Sequence, residues 1–222
     1  MPGVPRQTAS VLRRRTILAA ALACFAEKGV QATTLEEIRL RAGVSIGSIY
    51  YHFADKQQLA HSAYVEGLES YYQAVLRDLA QHQDAQAGLE GLVRSTLERL
   101  AEPSSWLHLA FPAHELHLGA AAAVVVANLD REFAADLAGW LAPHIATGTL
   151  APLPVAFYLA LLFGPCDRVA EAWRAGRREP GLAEAQQVLA SAAWAALRRS
   201  PPDAVPDQRH SAARVRRPRR GG

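Results

Sequence analysis

The amino-acid sequence predicts an all-α fold, with a small three-helix domain at the N-terminus and a larger helical domain behind it. Alanine and leucine dominate the composition, while β-branched and aromatic residues are sparse, which favours helices over sheets. Apolar residues recur at helical spacing, and no segment shows the alternation typical of a strand. Half of the 222 residues are apolar, so the chain can bury a substantial core and is not a disordered protein.

Charge is distributed unevenly along the chain, although its net value is only +3. Residues 1–60 carry eight Lys and Arg against four Asp and Glu. Residues 61–200 carry ten against fifteen, and residues 201–222 carry six against two. A basic head on an acidic body favours a polyanionic partner at one end of the molecule.

The two cysteines and the apolar run near the N-terminus bear on the location of the protein. Cys24 and Cys166 lie in apolar helical stretches without the paired spacing of a metal site, which fits a reducing cytoplasm. The arginines at 13–15 and the apolar run after them resemble an export signal, but the run has only about nine residues and stops at the charged pair 27–28. No other segment has the roughly 20 apolar residues of a membrane span. We therefore expect a cytoplasmic protein without membrane association.

The first helix is predicted over residues 12–28, after a flexible arm over residues 1–11. Its apolar residues fall on one stripe at helical spacing: Ile17, Ala21, Cys24 and Phe25. Gly29 follows directly, and glycine is the residue most often found just past the end of a helix. We therefore expect the first helix to end there.

Two short helices are predicted next. Thr34 and Glu37 have the spacing of a capping box, in which each side chain bonds the backbone N–H of the other residue. Gly43 ends this second helix, and Ser45 is placed to cap a third helix over residues 46–53. The third helix is expected to pack through its apolar residues, Ile49 and Phe53.

Two short helices, joined by a glycine-containing turn and braced by a longer helix, form a helix-turn-helix arrangement. We place this motif at residues 34–53, in a domain of residues 12–58. Four outward residues at the start of the third helix are positioned to meet base edges: Ser45, Ile46, Gly47 and Ser48. Four residues that follow have donors suited to phosphate oxygens: Tyr50, Tyr51, His52 and Lys56. Tyr51 is equally suited to packing, and His52 to capping.

Three stretches of this region, with the pair Asp55-Lys56 after them, closely resemble the TetR family of regulators. They are Phe-Ala-Glu-Lys-Gly at 25–29, Thr-Thr-Leu-Glu-Glu-Ile at 33–38, and Ala-Gly-Val-Ser-Ile-Gly-Ser-Ile-Tyr-Tyr-His-Phe at 42–53. The resemblance covers roughly residues 12–60. It implies double-stranded DNA as the partner, with Thr34 at a phosphate near the start of the first short helix. It further implies base contacts and backbone contacts at the following residues: Ser45, Ile46, Gly47 and Ser48 for bases, and Tyr50, His52 and Lys56 for the backbone.

A long helix is predicted from Asp55 to Leu79, between the DNA-binding domain and the rest of the chain. Proline and glycine then delimit five further helices, at about residues 86–101, 104–118, 121–142, 152–175 and 182–199. We assign residues 59–200 to a helical effector-binding and dimerisation domain. The Pro-rich and then Arg-rich residues 201–222 are expected to be a disordered basic tail, suited equally to sequence-independent DNA affinity and to solubility alone.

The last two predicted helices are apolar over wide faces, which indicates that each buries one face in its own domain and another against a neighbour. The resemblance implies that they pair with those of a second copy as a four-helix bundle. Such a homodimer would hold two recognition helices about one DNA turn apart, ~34–36 Å, and would read a palindromic operator.

A small-molecule effector is expected in a pocket between body helices, mainly apolar with a few polar groups. The candidate lining residues are Trp106, Phe111, His114, Phe157 and Leu161. His114 and His117 are three residues apart, but no third ligand is visible, so no metal site is predicted. The resemblance implies no particular effector, because this part of the family diverges widely.

No cofactor and no catalytic residue is predicted. The chain has no nucleophile elbow, no phosphate-binding glycine loop and no zinc-hydrolase helix motif, and Cys166 is expected to be packed rather than reactive. The resemblance implies a repressor that a small-molecule effector releases from its operator. The alternative is an activator or a nucleoid-associated protein without a ligand sensor, which a body lacking a pocket of roughly 300 Å³ would favour.

Overall fold

The computed structural model describes residues 6–102 and 120–199, and these residues form eight α-helices and no strand. The helices are α1 (Arg6–Ala32), α2 (Leu35–Ala42), α3 (Ile46–His52), α4 (Lys56–Ala80), α5 (Ala85–Ala101), α6 (Ala120–Ala146), α7 (Val155–Arg174) and α8 (Leu182–Leu197). The predicted all-α fold is therefore confirmed. Across the described residues, no helix has a stretch of the length and hydropathy that a membrane crossing requires.

The described residues enclose two separate hydrophobic cores. The first core is formed by α1, α2, α3 and the first turns of α4, with these residues among its members: Ile17, Leu18, Phe25, Ile38, Ile49, Phe53 and Leu59. The second core is formed by the rest of α4 and the helices after it, with these among its members: Val75, Leu89, Leu97, Leu137, Tyr158, Leu162 and Leu197. We call the two parts the N-terminal domain and the body.

Helix α4 belongs to both cores. Its first turns place Leu59 and Ala63 in the core of the N-terminal domain, and its later turns place Val75 and Leu79 in the core of the body. A continuous helix of 25 residues extends roughly 38 Å, so α4 connects the two cores directly.

Helix α5 packs against α7 and α8, and α4 packs against α6. Gly88 on α5 permits one close approach, because a Cβ atom there would lie 2.6 Å from Cζ2 of Trp140 on α6. The body is thus a bundle in which tight packing depends on small residues at particular crossings.

The start of α1 differs from the sequence prediction. The helix begins at Arg6, inside the stretch that was predicted to be a flexible arm. Residues 6–11 contain no glycine and no proline, so nothing in them opposes a helix that the following turns already stabilise. Gly29 interrupts the helix as predicted, with φ 78° and ψ 161°, a conformation essentially restricted to glycine, and a further helical turn continues to Ala32.

The body helices agree with the predicted ranges to within four residues at each end. The largest difference is at α6, which continues through Pro143 to Ala146 rather than ending at residue 142. Proline there removes one hydrogen bond, to the carbonyl of residue 139, and the helix ends three residues later, so little of the ladder is lost. The predicted helix 104–118 and the predicted tail 201–222 lie outside the described residues.

Candidate nucleic-acid interface

The entry to α2 is fixed by the predicted capping box. The backbone N–H of Glu37 donates to Oγ1 of Thr34 at 3.2 Å, and the backbone N–H of Thr34 donates to Oε2 of Glu37 at 2.9 Å. Lys28 donates to the other carboxylate oxygen of Glu37. The ammonium of Lys28 and the hydrogen bonds from Thr34 lower the pKa of Glu37 to about 2, so this carboxylate stays charged at the start of α2.

The turn between α2 and α3 is also the predicted one. Gly43 caps α2 in the left-handed region with φ 64°, and Oγ of Ser45 accepts the backbone N–H of Ser48 at 3.1 Å. Ile49 and Phe53 are buried, so the inner face of α3 is held against α1 and α4. The opposite face of this seven-residue helix is left to solvent.

The outward face of α3 has an unusual composition for a solvent surface. Ile46, Tyr50 and Tyr51 are 40%, 56% and 79% exposed, beside the exposed Ser45 and Gly47. Ser48 and His52 are half-buried. At this exposure Tyr51 does not pack into the domain, and its ring contacts that of His52 edge-on, with centroids 4.9 Å apart. The helix ends with the Phe53 N–H bonded to the Ile49 carbonyl.

Gly47 is not explained by the protein itself. Its φ is not in the left-handed region, and an added Cβ would meet only Oγ of Ser45, at 3.9 Å. A glycine inside a helix costs about 1 kcal/mol relative to alanine. Neither the backbone conformation nor the packing of the described residues therefore requires glycine at this position.

An open groove of about 390 Å³ separates α3 from the early turns of α1. It is lined by Ala9, Ser10 and Arg13 on one side and by Ser45, Gly47, Ser48, Tyr51 and His52 on the other. Burial, and then the guanidinium groups of Arg14 and Arg13, lower the pKa of His52. Positive charge therefore accumulates beside the outward face of α3.

Four cations of the N-terminal domain are paired with carboxylates. Carboxylates pair with Lys28, Arg39 and Arg41 within the domain, and Arg14 pairs with Glu66 of α4 at 3.2 Å. Within residues 6–102 and 120–199, the exposed Arg13 and Arg15 have no carboxylate within 4.0 Å. From the sequence, the run of three arginines at 13–15 was considered only as part of a possible export signal. The three arginines lie one turn before the buried residues of α1, and this spacing was the signal in the sequence that could have placed them beside α3.

The side chain of Lys56 does not extend freely into solvent, as one that served only to contact a phosphate would. Its Nζ donates to the backbone carbonyls of Gln31 and Thr33, at 3.0 and 2.9 Å. The irregular end of α1 leaves these carbonyls without helical partners, and Lys56 satisfies them. Two of its three donors are thus used inside the domain, and one remains for an external oxygen.

The five residues predicted to line an effector pocket are not brought together in the described part of the chain. Phe157 and Leu161 are 56% and 37% exposed on the outer face of α7, so their predicted place inside the body is corrected. The reason is helical phase, because Tyr158 and Leu162, one residue further on, face the core. Trp106, Phe111 and His114 lie outside the described residues.

Metal-ligating residues are not grouped in the part of the chain that the structure describes. Among residues 6–102 and 120–199, no three or more His, Cys, Asp and Glu side chains are placed to hold an ion. Cys24 and Cys166 are both free and buried, and burial raises the pKa of the Cys166 thiol to about 12.

The N-terminal domain matches a known family model and curated relatives. Residues 17–63 match the model for bacterial regulatory proteins of the tetR family. The HTH-type transcriptional repressor KstR2 of Rhodococcus jostii is 33% identical over 88 residues, which are 40% of this chain and 43% of that protein. The chain thus matches less than half the length of this curated relative.

The fold matches solved structures over most of the chain at low identity. A regulator from Saccharomonospora viridis, solved with choline, has a TM-score of 0.69 at 18% identity, over 86% of this chain and all of that one. The transcriptional regulator FadR of Bacillus subtilis, solved with stearoyl-CoA, has a TM-score of 0.64 at 18% identity, over 81% of this chain and 96% of that one. At such identities the likeness concerns the fold alone. The similarity to the tetR family of bacterial regulatory proteins is therefore shown for residues 17–63, within the N-terminal domain.

Proposed function

We propose that the chain is a cytoplasmic homodimeric transcriptional regulator that binds a palindromic operator in double-stranded DNA. The observation that carries this proposal is Gly47, a helical glycine on an exposed face that the protein's own packing does not require. The curated relatives support it, since they are named transcriptional repressors. Catalysis has no part in the proposal.

Base contacts are assigned to the start of α3. Gly47 lets the backbone approach the base edges, and the hydroxyls of Ser45 and Ser48 can donate to acceptors in the major groove. Ile46, at 40% exposure, can contact a thymine methyl group. Ser45 also caps α3 through its oxygen and donates its hydroxyl hydrogen to Oγ of Ser48 at 3.2 Å, so Ser45 would exchange that hydrogen bond for one to DNA.

Contacts to the DNA backbone are assigned to the margins of the same face. Thr34, Tyr50, Tyr51, His52 and Lys56 carry over from the sequence prediction, and the structure adds Arg13. Lys56 retains one free donor for a phosphate beside its two carbonyl partners. Arg13 is exposed, has no carboxylate within 4.0 Å among the described residues, and borders the groove beside α3. A phosphate oxygen would provide the negatively charged partner that the Arg13 guanidinium does not have among the described residues.

A homodimer is supported by the outer faces of α7 and α8. Large apolar side chains are exposed there without a covering element among the described residues: Phe157, Leu161, Leu182 and Val188. Several large apolar side chains exposed on two neighbouring helices favour a protein interface there. In a two-fold dimer through these helices, the two α3 helices would meet successive major grooves about one turn apart, ~34–36 Å.

Release by a small-molecule effector is the regulatory part of the proposal. A rotation of α4 would reach α3 through two described contacts. Arg14 bonds Glu66 of α4 and lies over the Phe53 ring at the end of α3, with 5.4 Å between Cζ and the ring centroid, and Lys56 of α4 holds the carbonyls between α1 and α2. A coupling of about 1–3 kcal/mol between effector and operator gives 5–150-fold weaker DNA binding. The choline and stearoyl-CoA complexes of the two structural neighbours support a body that holds small molecules.

The proposal is tested by binding purified protein to the DNA upstream of its own gene, with random DNA as competitor and at two salt concentrations. Protection of a palindrome that survives the competitor is the expected result. Equal competition by random DNA would contradict sequence-specific binding and support a nucleoid-associated protein.

A variant series sharpens this assay. Arg13→Ala should weaken operator and random DNA alike and should lower the slope of log affinity against log salt by about one. Arg77→Ala, which removes an exposed arginine from the body half of α4, is the matched control and should change neither quantity. A loss confined to one DNA sequence would contradict the phosphate assignment of Arg13.

A further inference from the structure

Lys56 joins the two ends of the helix-turn-helix. It is the first residue of α4, three residues after the Phe53 cap of α3. Its Nζ donates to the backbone carbonyls of Gln31 and Thr33, which lie just before α2. The chain therefore leaves this point before α2, runs through α2 and α3, and returns to it at Lys56. We call these two hydrogen bonds the Lys56 bridge.

The end of α1 explains why a cation stands at the start of α4. Lys56 occupies the first turn of α4, where the positive end of the helix dipole disfavours a cation. The last turn of α1 contains no basic residue, although its carbonyl groups form the negative end of that helix's dipole. Lys56 therefore supplies from α4 the cation that the end of α1 lacks.

Both sides of the Lys56 bridge are fixed within the N-terminal domain. Oγ1 of the buried Thr33 donates to the Gly29 carbonyl at 2.8 Å, which holds this residue against α1. On the other side, Oδ1 of Asp55 accepts the backbone N–H of Gln58 at 2.7 Å and caps α4. Because both sides are fixed, the bridge holds the start of α2 at a set distance from the end of α3.

Lysine is used sparingly in this chain, and only beside the start of α2. The 24 basic residues include two lysines, Lys28 and Lys56, and all others are arginines. Lys28 donates to the carboxylate of Glu37 in the capping box of α2. A lysine ammonium is a compact charge with three rotatable donors, whereas a guanidinium is a rigid planar fork. The ammonium of Lys56 is thus suited to two carbonyls that converge from neighbouring residues.

We propose that Lys56 is a positioning residue for DNA recognition: the Lys56 bridge fixes α3 relative to α2, so that the first residues of α3 meet the base edges. This inference rests on the DNA binding proposed above and goes beyond the phosphate contact assigned there to the third donor of Lys56. A phosphate contact adds affinity for every DNA sequence. A positioning role acts on the base contacts, so its loss lowers operator affinity more than affinity for random DNA.

Lys56→Met tests the positioning role by competition binding to the protected palindrome and to random duplex DNA. Methionine keeps much of the apolar stem and removes all three donors. The ratio of operator affinity to random-DNA affinity should fall at least about fivefold, at a temperature where circular dichroism shows a folded protein. Gln57→Met, at the exposed next residue of α4, is the matched control and should keep the wild-type ratio. A smaller fall in Lys56→Met, or an equal loss on both DNAs, would overturn the positioning role.

A milder variant and a wild-type measurement keep the test independent of the folding of Lys56→Met. Lys56→Gln keeps two donors on a shorter side chain and should lower the ratio less than methionine does. In wild-type protein without DNA, acetylation by an N-hydroxysuccinimide ester is followed by peptide mass spectrometry, which separates the two lysines. Lys56 should react at least about fivefold more slowly than in the same chain unfolded in urea, because its ammonium is held by two carbonyls. A smaller difference would overturn the bridge.

The two measurements separate this inference from the function on which it rests. Slow acetylation of Lys56 together with a lowered affinity ratio in the variants supports both. Slow acetylation with an unchanged ratio leaves the bridge as a structural contact and overturns its role in recognition. If the wild-type chain protects no palindrome while Lys56 is still acetylated slowly, the proposed DNA binding is contradicted and the bridge is supported.

Discussion

The N-terminal domain and the body differ in where the residues that their own packing does not explain are located. Among the described residues of the N-terminal domain, no buried side-chain polar atom lacks a hydrogen bond. The residues that internal packing does not explain lie on its surface, at Gly47, Tyr51 and Arg13. In the body the reverse holds, because the unpartnered polar atoms of the described residues are inside, at Arg99 and Asp167. The comparison thus contrasts unexplained surface residues in one part with unpartnered buried side-chain atoms in the other.

Separate cores predict separate consequences of mutation. Leu97→Ala in the body and Ile49→Ala in the N-terminal domain each remove a fully buried side chain, and each should lower the free energy of unfolding by about 2–5 kcal/mol. Only Ile49→Ala should also weaken DNA binding while the protein remains folded, because Ile49 holds α3. Urea denaturation and operator titration measure the two effects. Leu40→Ala, which changes an exposed residue of α2, is the control and should change the free energy of unfolding by less than about 0.5 kcal/mol. Weaker DNA binding by folded Leu97→Ala would contradict the separation of the two cores.

The buried carboxyl of the body predicts a pH dependence of stability. The pKa of Asp167 is raised to about 7 in the folded state, whereas an unfolded aspartate titrates near roughly 4. Between about pH 4 and about pH 7 the folded state therefore holds a proton that the unfolded state has lost. The Asp167 contribution to the free energy of unfolding should fall as pH rises through this window.

Urea denaturation of wild type and Asp167→Asn across that window measures the effect. The stability difference between the two proteins should shift towards the variant as pH rises, because asparagine does not titrate. A difference that stays constant with pH would show that Asp167 is ionised in both states and would weaken the contrast between the two regions.

The capping box predicts a smaller and local effect. Thr34→Ala removes the acceptor for the Glu37 N–H at the start of α2 and should cost about 1 kcal/mol of stability. Thr34→Ser keeps the hydroxyl and should recover most of that loss. The two melting curves decide the point, and equal losses in both variants would mean that the threonine methyl group, rather than the cap, stabilises α2.

Local signals in the sequence predicted the N-terminal domain well. The cap at Thr34, the glycine at Gly43 and the cap at Ser45 each act within a few residues, so their spacing is visible in the chain. The two carbonyl partners of Lys56 were not visible, because they lie more than twenty residues away and depend on how α1 ends. The long α1 was cut short because nothing in residues 6–11 marks an end or a beginning.

The body was predicted at the level of helices but not of faces. Phe157 and Leu161 were assigned to a pocket, whereas their neighbours Tyr158 and Leu162 face the core. A helix that is apolar on all sides gives little indication of which residues face inward. Asp167 was not selected as a candidate from the sequence, because a single aspartate on a helix is common. Only the tertiary arrangement shows that its oxygen is buried without a partner.

Gly47→Ala tests the DNA-binding claim most directly, because folding and recognition predict opposite signs. Alanine fits the helix and the open space around it, so the melting temperature should rise, by an amount equivalent to about 1 kcal/mol. Operator affinity should fall, since the added methyl group stands between the backbone and the base edges. A more stable protein with weaker operator binding is the predicted result. Unchanged operator affinity would contradict the account that α3 approaches DNA through Gly47.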